Sequence, residues 1–217
     1  MFFLLLMLGV FVLGIQNTFA YTAIINTPTA PYEIKEIERP LDNERWYLST
    51  LVDYPHMYEL TLVDDTSLVL SLRIPADTDI EAMRPALLLV QSVESQGVDE
   101  IMRMDFESTQ WQEEKDVYSG LSYYTTEPFI PELPAGKYRI EISSASDEGK
   151  YMLVVGSDDE EESFGTAWET VGTLYDFYGV SSILKVRSPL VQYPLGILIL
   201  LGLTAVTWRY RTRLRLR

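Results

Sequence analysis

Between Arg187 and Arg209 the chain runs for 21 residues, SPLVQYPLGILILLGLTAVTW, without a charged side chain. As an α-helix this stretch would reach about 32 Å, against a hydrocarbon thickness of about 30 Å. A helix that is apolar on all sides must be hidden in a large core or in lipid, and a chain of 217 residues has little core to spare. Residues 188–208 are therefore read as one C-terminal membrane-spanning helix. Tyr193 and Trp208 fall near its two ends, where amphipathic rings prefer the interface. Beyond it Arg209, Arg211, Arg213, Arg215 and Arg217 form a basic tail, residues 209–217, while Lys185 and Arg187 are the basic residues close on the other side. The positive-inside rule then places the tail in the cytoplasm and the preceding domain outside a plasma (inner) membrane, in a single-pass arrangement.

The other end agrees with export. Residues 1–15, MFFLLLMLGVFVLGI, are apolar throughout, and residues 16–20 (QNTFA) end on a small residue with Thr18 at the minus-three position. This reads as a signal peptide, residues 1–20, cut near Ala20. No basic residue precedes the apolar run, so an uncleaved anchor and a two-span protein stay open as the alternative.

Charge separates the regions. Residues 21–165 hold 30 acidic and 10 basic side chains, whereas residues 166–217 hold 2 acidic and 7 basic. So acidic an outer domain repels phosphate backbones, which excludes nucleic acid as a partner. Nine tail residues with no fold of their own do not make a binding domain, and their cations suit anionic lipid headgroups instead. There is no cysteine, so disulfides, thiolate metal sites and cysteine nucleophiles are excluded.

The outer domain, residues 21–156, alternates with period two. Leu68, Leu70, Leu72 and Ile74 interleave with Val69, Ser71 and Arg73; Tyr138, Ile140 and Ile142 with Lys137, Arg139 and Glu141; Tyr151, Leu153 and Val155 repeat the pattern, as does Tyr58-Glu59-Leu60-Thr61-Leu62. Residues 86–90, ALLLV, are continuously apolar, as in a strand buried on both faces. Turn signals separate these runs at Asp64-Asp65, Pro75-Ala76-Asp77, Gln96-Gly97, Pro134-Ala135-Gly136 and Asp147-Glu148-Gly149. The expected fold class is all-β: an antiparallel two-sheet β-sandwich of jelly-roll type, followed by a short amphipathic helix and one transmembrane helix.

Residues 133–156, LPAGKYRIEISSASDEGKYMLVVG, resemble the last hairpin of the pre-peptidase C-terminal β-sandwich domains. The order of segments is also similar to prokaryotic membrane-anchored proteins that carry such a sandwich, whose recurrent turn matches Asp53-Tyr54-Pro55-His56. The resemblance implies a binding or accessory module without catalysis of its own and carries across no functional residue.

Residues 157–187 are read as an acidic linker and a juxtamembrane helix. Five consecutive acids occupy 158–162. Thr166-Ala167-Trp168-Glu169 has capping-box spacing. Phe164, Trp168, Val171, Tyr175 and Tyr178 recur at helical intervals up to Gly179. This predicts a helix over 167–178 whose aromatic stripe lies in the interfacial layer or packs back onto the sandwich.

Chemistry is sparse. His56 is the one histidine; it cannot supply a multi-histidine metal site, and it reads as a ring that fixes the turn after Pro55. No catalytic, cofactor-binding or metal-ligating residue is assigned. No cofactor is expected, and calcium is the one candidate ligand, through Asp77-Thr78-Asp79-Ile80-Glu81 and the run at 158–162, neither with EF-hand spacing. The reading is a membrane-anchored extracytoplasmic module, non-enzymatic, that binds a protein or glycan or serves as an accessory subunit at the cell envelope. Its partners are membrane lipid, through the helix and arginine tail, and an envelope protein or glycan. The alternative is an envelope hydrolase or processing factor using paired carboxylates.

Overall fold

The computed structural model describes residues 18–214 apart from 20, 39, 42, 94–96, 157–160 and 163. The expected signal peptide therefore lies almost wholly outside the described residues.

In chain order the strands are β1 (Thr18–Phe19), β2 (Thr22–Ile25), β3 (Ile34–Glu36), β4 (Arg45–Val52), β5 (His56–Leu62), β6 (Thr66–Ser67) and β7 (Leu70–Pro75). After a single helical turn, α1 (Ile80–Met83), come β8 (Ala86–Val93), β9 (Gly97–Met104), β10 (Trp111–Lys115), β11 (Ser122–Thr126), β12 (Glu132–Leu133), β13 (Gly136–Ser143), β14 (Glu148–Val155) and β15 (Glu161–Glu162). Helix α2 (Phe164–Tyr178), a 3-10 turn (Ser182–Arg187) and helix α3 (Pro189–Leu214) complete the chain.

Two large sheets face each other, in the orders β10-β11-β7-β14-β4-β2 and β3-β5-β13-β8-β9. The chain crosses between them repeatedly, β4 to β5, β7 to β8 and β13 to β14, with local antiparallel pairs of consecutive strands at β8–β9 and β10–β11. Residues 133–156 are thus not a hairpin: β13 pairs with β5 and β8, while β14 pairs with β4 and β7 in the opposite sheet. The sheets are also mixed. β2 runs parallel to β4 and β3 parallel to β5. A parallel pair needs a long crossover; here each of the first strands reaches its partner by way of the other sheet.

Period-two alternation sorts the inner faces as expected. Leu70, Leu72 and Ile74 of β7 meet Tyr138, Ile140 and Ile142 of β13 and Leu87 and Leu89 of β8 in one core. A second apolar cluster lies on the outer side of the six-stranded sheet, where Trp46, Leu48, Met152 and Val154 pack under Leu174 and Phe177 of α2. The double burial expected of residues 86–90 therefore belongs elsewhere. Leu88 and Val90 are only half-buried, whereas every residue from Tyr151 to Val155 is buried, because β14 is central and its second face is roofed by a helix.

Helix α2 begins at Phe164, not Ala167, which puts Thr166 inside the first turn rather than at a cap. The capping box expected at Thr166-Ala167-Trp168-Glu169 is accordingly not the start of the helix. The end matches expectation: Gly179 has φ +71° and the Val180 N–H donates to the Tyr175 carbonyl over 2.8 Å. Of the two fates considered for its aromatic stripe, packing onto the sandwich is the one observed, but the buried face is Ala167, Val171, Leu174 and Tyr175, with Trp168 turned outward. Among the described residues one helix, α3, is long and apolar enough over Pro189–Arg211 to cross a membrane.

Leu174→Ala should lower stability by about 2–4 kcal/mol, the usual cost of a large-to-small change in a core. Trp168→Ala, on the open side of the same helix, should cost about 1 kcal/mol or less. Denaturant melts of the two full-length variants in detergent measure both, and equal losses would contradict the assigned face.

Candidate functional site

His56 does not fix a turn at the surface. As the first residue of β5 its side chain points inward and is 1% exposed. Nδ1 lies 3.0 Å from Ser49 Oγ on β4 and 2.8 Å from the Tyr151 hydroxyl on β14, and Tyr151 lies 2.8 Å from the Tyr58 hydroxyl. Tyr58 donates onward to the Asn26 carbonyl over 3.3 Å. A consistent direction runs from His56 Nδ1–H to Tyr151, from Tyr151 to Tyr58, and from Tyr58 to Asn26. This assigns the tautomer that leaves Nε2 bare as an acceptor; among the described residues it has no partner. The cluster ties β5 of one sheet to β4 and β14 of the other. Burial raises the Tyr58 hydroxyl to about 12 and pushes Tyr151 well above its ordinary value. A nucleophile here would be out of reach of a substrate, since Ser49 is fully buried. The arrangement suits a polar strut between two sheets.

A second cluster sits where α2 and residues 116–121 cover the six-stranded sheet. Arg73 of β7 holds its guanidinium carbon 4.1 Å from the centroid of the Trp46 ring and 5.0 Å from that of Tyr123. Its Nη1 pairs with Glu44 Oε1 at 3.2 Å, and the Trp46 indole N–H donates to the same oxygen. On the opposite side of Trp46, Tyr21 stacks at 3.6 Å between centroids and 3° between planes. Burial, with Asp116 second, lifts the Tyr21 hydroxyl well above its usual range. Asp116 is buried and accepts the Ser119 N–H, which closes the turn over the cluster. Cation, carboxylate and rings contact one another, while Arg73 Nε and the Tyr21 hydroxyl are buried with no hydrogen-bond partner among the described residues.

The calcium candidates fall at a capped helical turn and at β15 with the residues before it. Asp79 Oδ1 accepts the Ala82 N–H at 3.1 Å and caps α1. Asp77 stands in the preceding turn and Glu81 is exposed. Residues 158–160 lie outside the described residues, while Glu161 and Glu162 form β15 against Phe19 and Thr18. Among the described residues, no group of three or more histidine or acidic side chains is arranged to hold a metal ion. What sequence reading missed is the Arg73–Trp46–Glu44–Tyr21 stack; its signal was an arginine alternating with leucines on a strand otherwise free of charge.

No family model matches the chain, and no curated protein matches it. Among solved structures the chain is similar to the pre-peptidase C-terminal domain of collagenase from Bacillus anthracis, with 14% identity, TM-score 0.37, and coverage of 59% of this chain and 99% of that one. It is similar to the Yersinia pseudotuberculosis-derived mitogen, with 16% identity, TM-score 0.26, and coverage of 51% and 92%. A third likeness is to CorA, a surface-associated copper-binding protein of Methylomicrobium album BG8, with 12% identity, TM-score 0.21, and coverage of 71% and 91%. The first is the domain class that residues 133–156 resemble. At these scores no ligand, partner or activity passes from them to this chain.

Burial holds His56 below its ordinary value of 6.5, down to about 4, against a weaker upward pull from Asp147 and Glu33. The unfolded chain therefore takes up a proton first as pH falls. Stability present above pH 6.5 is lost progressively toward pH 4, by on the order of 3 kcal/mol. His56→Gln should abolish that component, read as the difference between the two proteins in melting temperature against pH. Arg73→Ala should cost about 3 kcal/mol, since it removes the cation from Trp46 and Tyr123 and leaves the partly buried Glu44 without its ion-pair partner, and Arg73→Lys should recover only part. Denaturation midpoints of the variants check this order.

Proposed function

We propose that the chain is an exported β-sandwich module anchored in the plasma (inner) membrane by α3, with the acidic domain outside and the arginine tail in the cytoplasm. The carrying observation is α3 itself: it carries no charged side chain from Pro189 to Trp208, and only 6% of its most apolar stretch is buried. Such a surface is stable in hydrocarbon and costly in water. The five arginines after residue 208 support the orientation, because they are retained on the cytoplasmic side.

For the domain, the reading is a binding or accessory module without chemistry of its own. It is supported by the commitment of His56, Arg73 and Asp116 to internal contacts and by the long exposed edges of the sandwich. β9 and β10 are mostly exposed, and Asp99, Glu100, Glu113 and Glu114 line them. Acidic edges discourage self-pairing and suit a basic partner at the cell envelope, either a protein or a cationic glycan.

Protease added to intact spheroplasts should remove the domain while a tag at the C-terminus remains protected, and alkaline carbonate should leave the tagged fragment in the membrane. Recovery of the protein in the soluble fraction, or protection of the domain with loss of the tag, would overturn this reading.

A further inference from the structure

The two ends of the domain meet at one loop. The Tyr21 ring lies 6.1 Å from that of Tyr118, and the Leu190 N–H donates to the Tyr118 carbonyl over 3.4 Å. The ring of Pro189, the first residue of α3, abuts Gly120 closely enough that a Cβ there would lie 3.1 Å from its Cδ. So Tyr21, just before β2, and the first residues of α3 both pack beside residues 118–120.

The surface around that point has an unusual composition for so acidic a domain. Val117 is 70% exposed, Ile183 82% and Val186 55%; Leu184 is exposed as well. Lys185 and Arg187 interleave with them, and Lys185 also reaches Asp176 of α2 at 3.8 Å. The 3-10 turn that carries these residues runs directly into α3 through Ser188, which is fully buried, so it cannot swing far from the start of the span. Exposed aliphatic side chains mixed with cations, next to a span, match the boundary between headgroups and acyl chains.

Resting on the reading of α3 as a membrane span, we propose that residues 117–120 and the turn Ser182–Arg187 form a collar seated in the lipid interface. The collar holds the sandwich against the bilayer with α2 alongside, so that the outward face of the five-stranded sheet is the one presented away from the membrane.

The natural absence of cysteine makes the test direct. Single-cysteine variants of the full chain, Val117→Cys, Ile183→Cys, Leu198→Cys and Thr61→Cys, are labelled with an environment-sensitive fluorophore. They are reconstituted in phosphatidylethanolamine–phosphatidylglycerol vesicles. Thr61 is exposed on the outward face of β5 and serves as the aqueous reference, and Leu198 lies within α3. Nitroxide placed shallow in the acyl chain should quench positions 117 and 183 several-fold more than position 61. Deep nitroxide should quench position 198 most. If 198 is quenched from within the bilayer while 117 and 183 behave like 61, the collar is overturned and the span stands. If 198 is open to aqueous iodide, the span fails and the collar fails with it.

Discussion

Tyr151, Met152, Leu153, Val154 and Val155 point alternately into the sandwich and onto helix α2, and none reaches solvent. This doubly buried strand is the constraint from which the other layers follow. β14 lies between β7 and β4 in the six-stranded sheet, so its inner residues require a facing sheet and its outer residues require a roof. A two-layer sandwich would leave Met152 and Val154, with Trp46 and Leu48 beside them, against water. Helix α2 supplies the cover with Leu174 and Phe177. Full burial of such side chains is worth roughly 1.5–3 kcal/mol each. Once α2 is fixed, the turn that follows it and the first residues of α3 are fixed too, since Leu190 packs with Ala167, Val171 and Tyr175.

Polar side chains occupy the seams between these layers. His56, Ser49, Tyr58 and Tyr151 bridge the two sheets, while Arg73, Glu44 and Trp46 fill the seam between sheet and helical layer. Apolar contacts tolerate sliding by one pleat or one turn; a hydrogen-bonded chain with fixed partners does not. The clusters thus define register, and they enclose His56, Ser49 and Tyr151. The same seam receives Tyr21, so the start of the sandwich domain is tied to its final layer through the Thr170 hydroxyl, which donates to the Tyr21 carbonyl at 3.0 Å.

Much of the sandwich was legible from alternation. The inward positions of β5, β7 and β13 are those that periodicity assigns, because a pleated strand half-facing a core must alternate. The failures also have causes. The ALLLV run suggested a two-faced strand, yet β8 has no helix over it; the run reflects half-covered side chains on a sheet flank. Trp168 fitted the helical stripe by spacing but lies to one side of the true buried face, whose centre is set by the small Ala167 and by Val171. The exposed edge strands β9 and β10 carried no period-two apolar run, and the parallel edges β2 and β3 depend on crossovers that leave no local mark.

By itself the sequence determined the properties that come from runs of neighbours: an apolar stretch of membrane length, its arginine flank, an acidic domain and strands of period two. Each of these acts through local chemistry and needs no partner to be named. Only the tertiary structure decided which strand is buried twice, that β13 and β14 part into opposite sheets, and that His56 meets Tyr151 across 95 residues. It also decided that Tyr21 and Leu190 converge on Tyr118. These depend on closing long loops, and closure is selected by the combined burial of many side chains rather than by the residues at the loop ends.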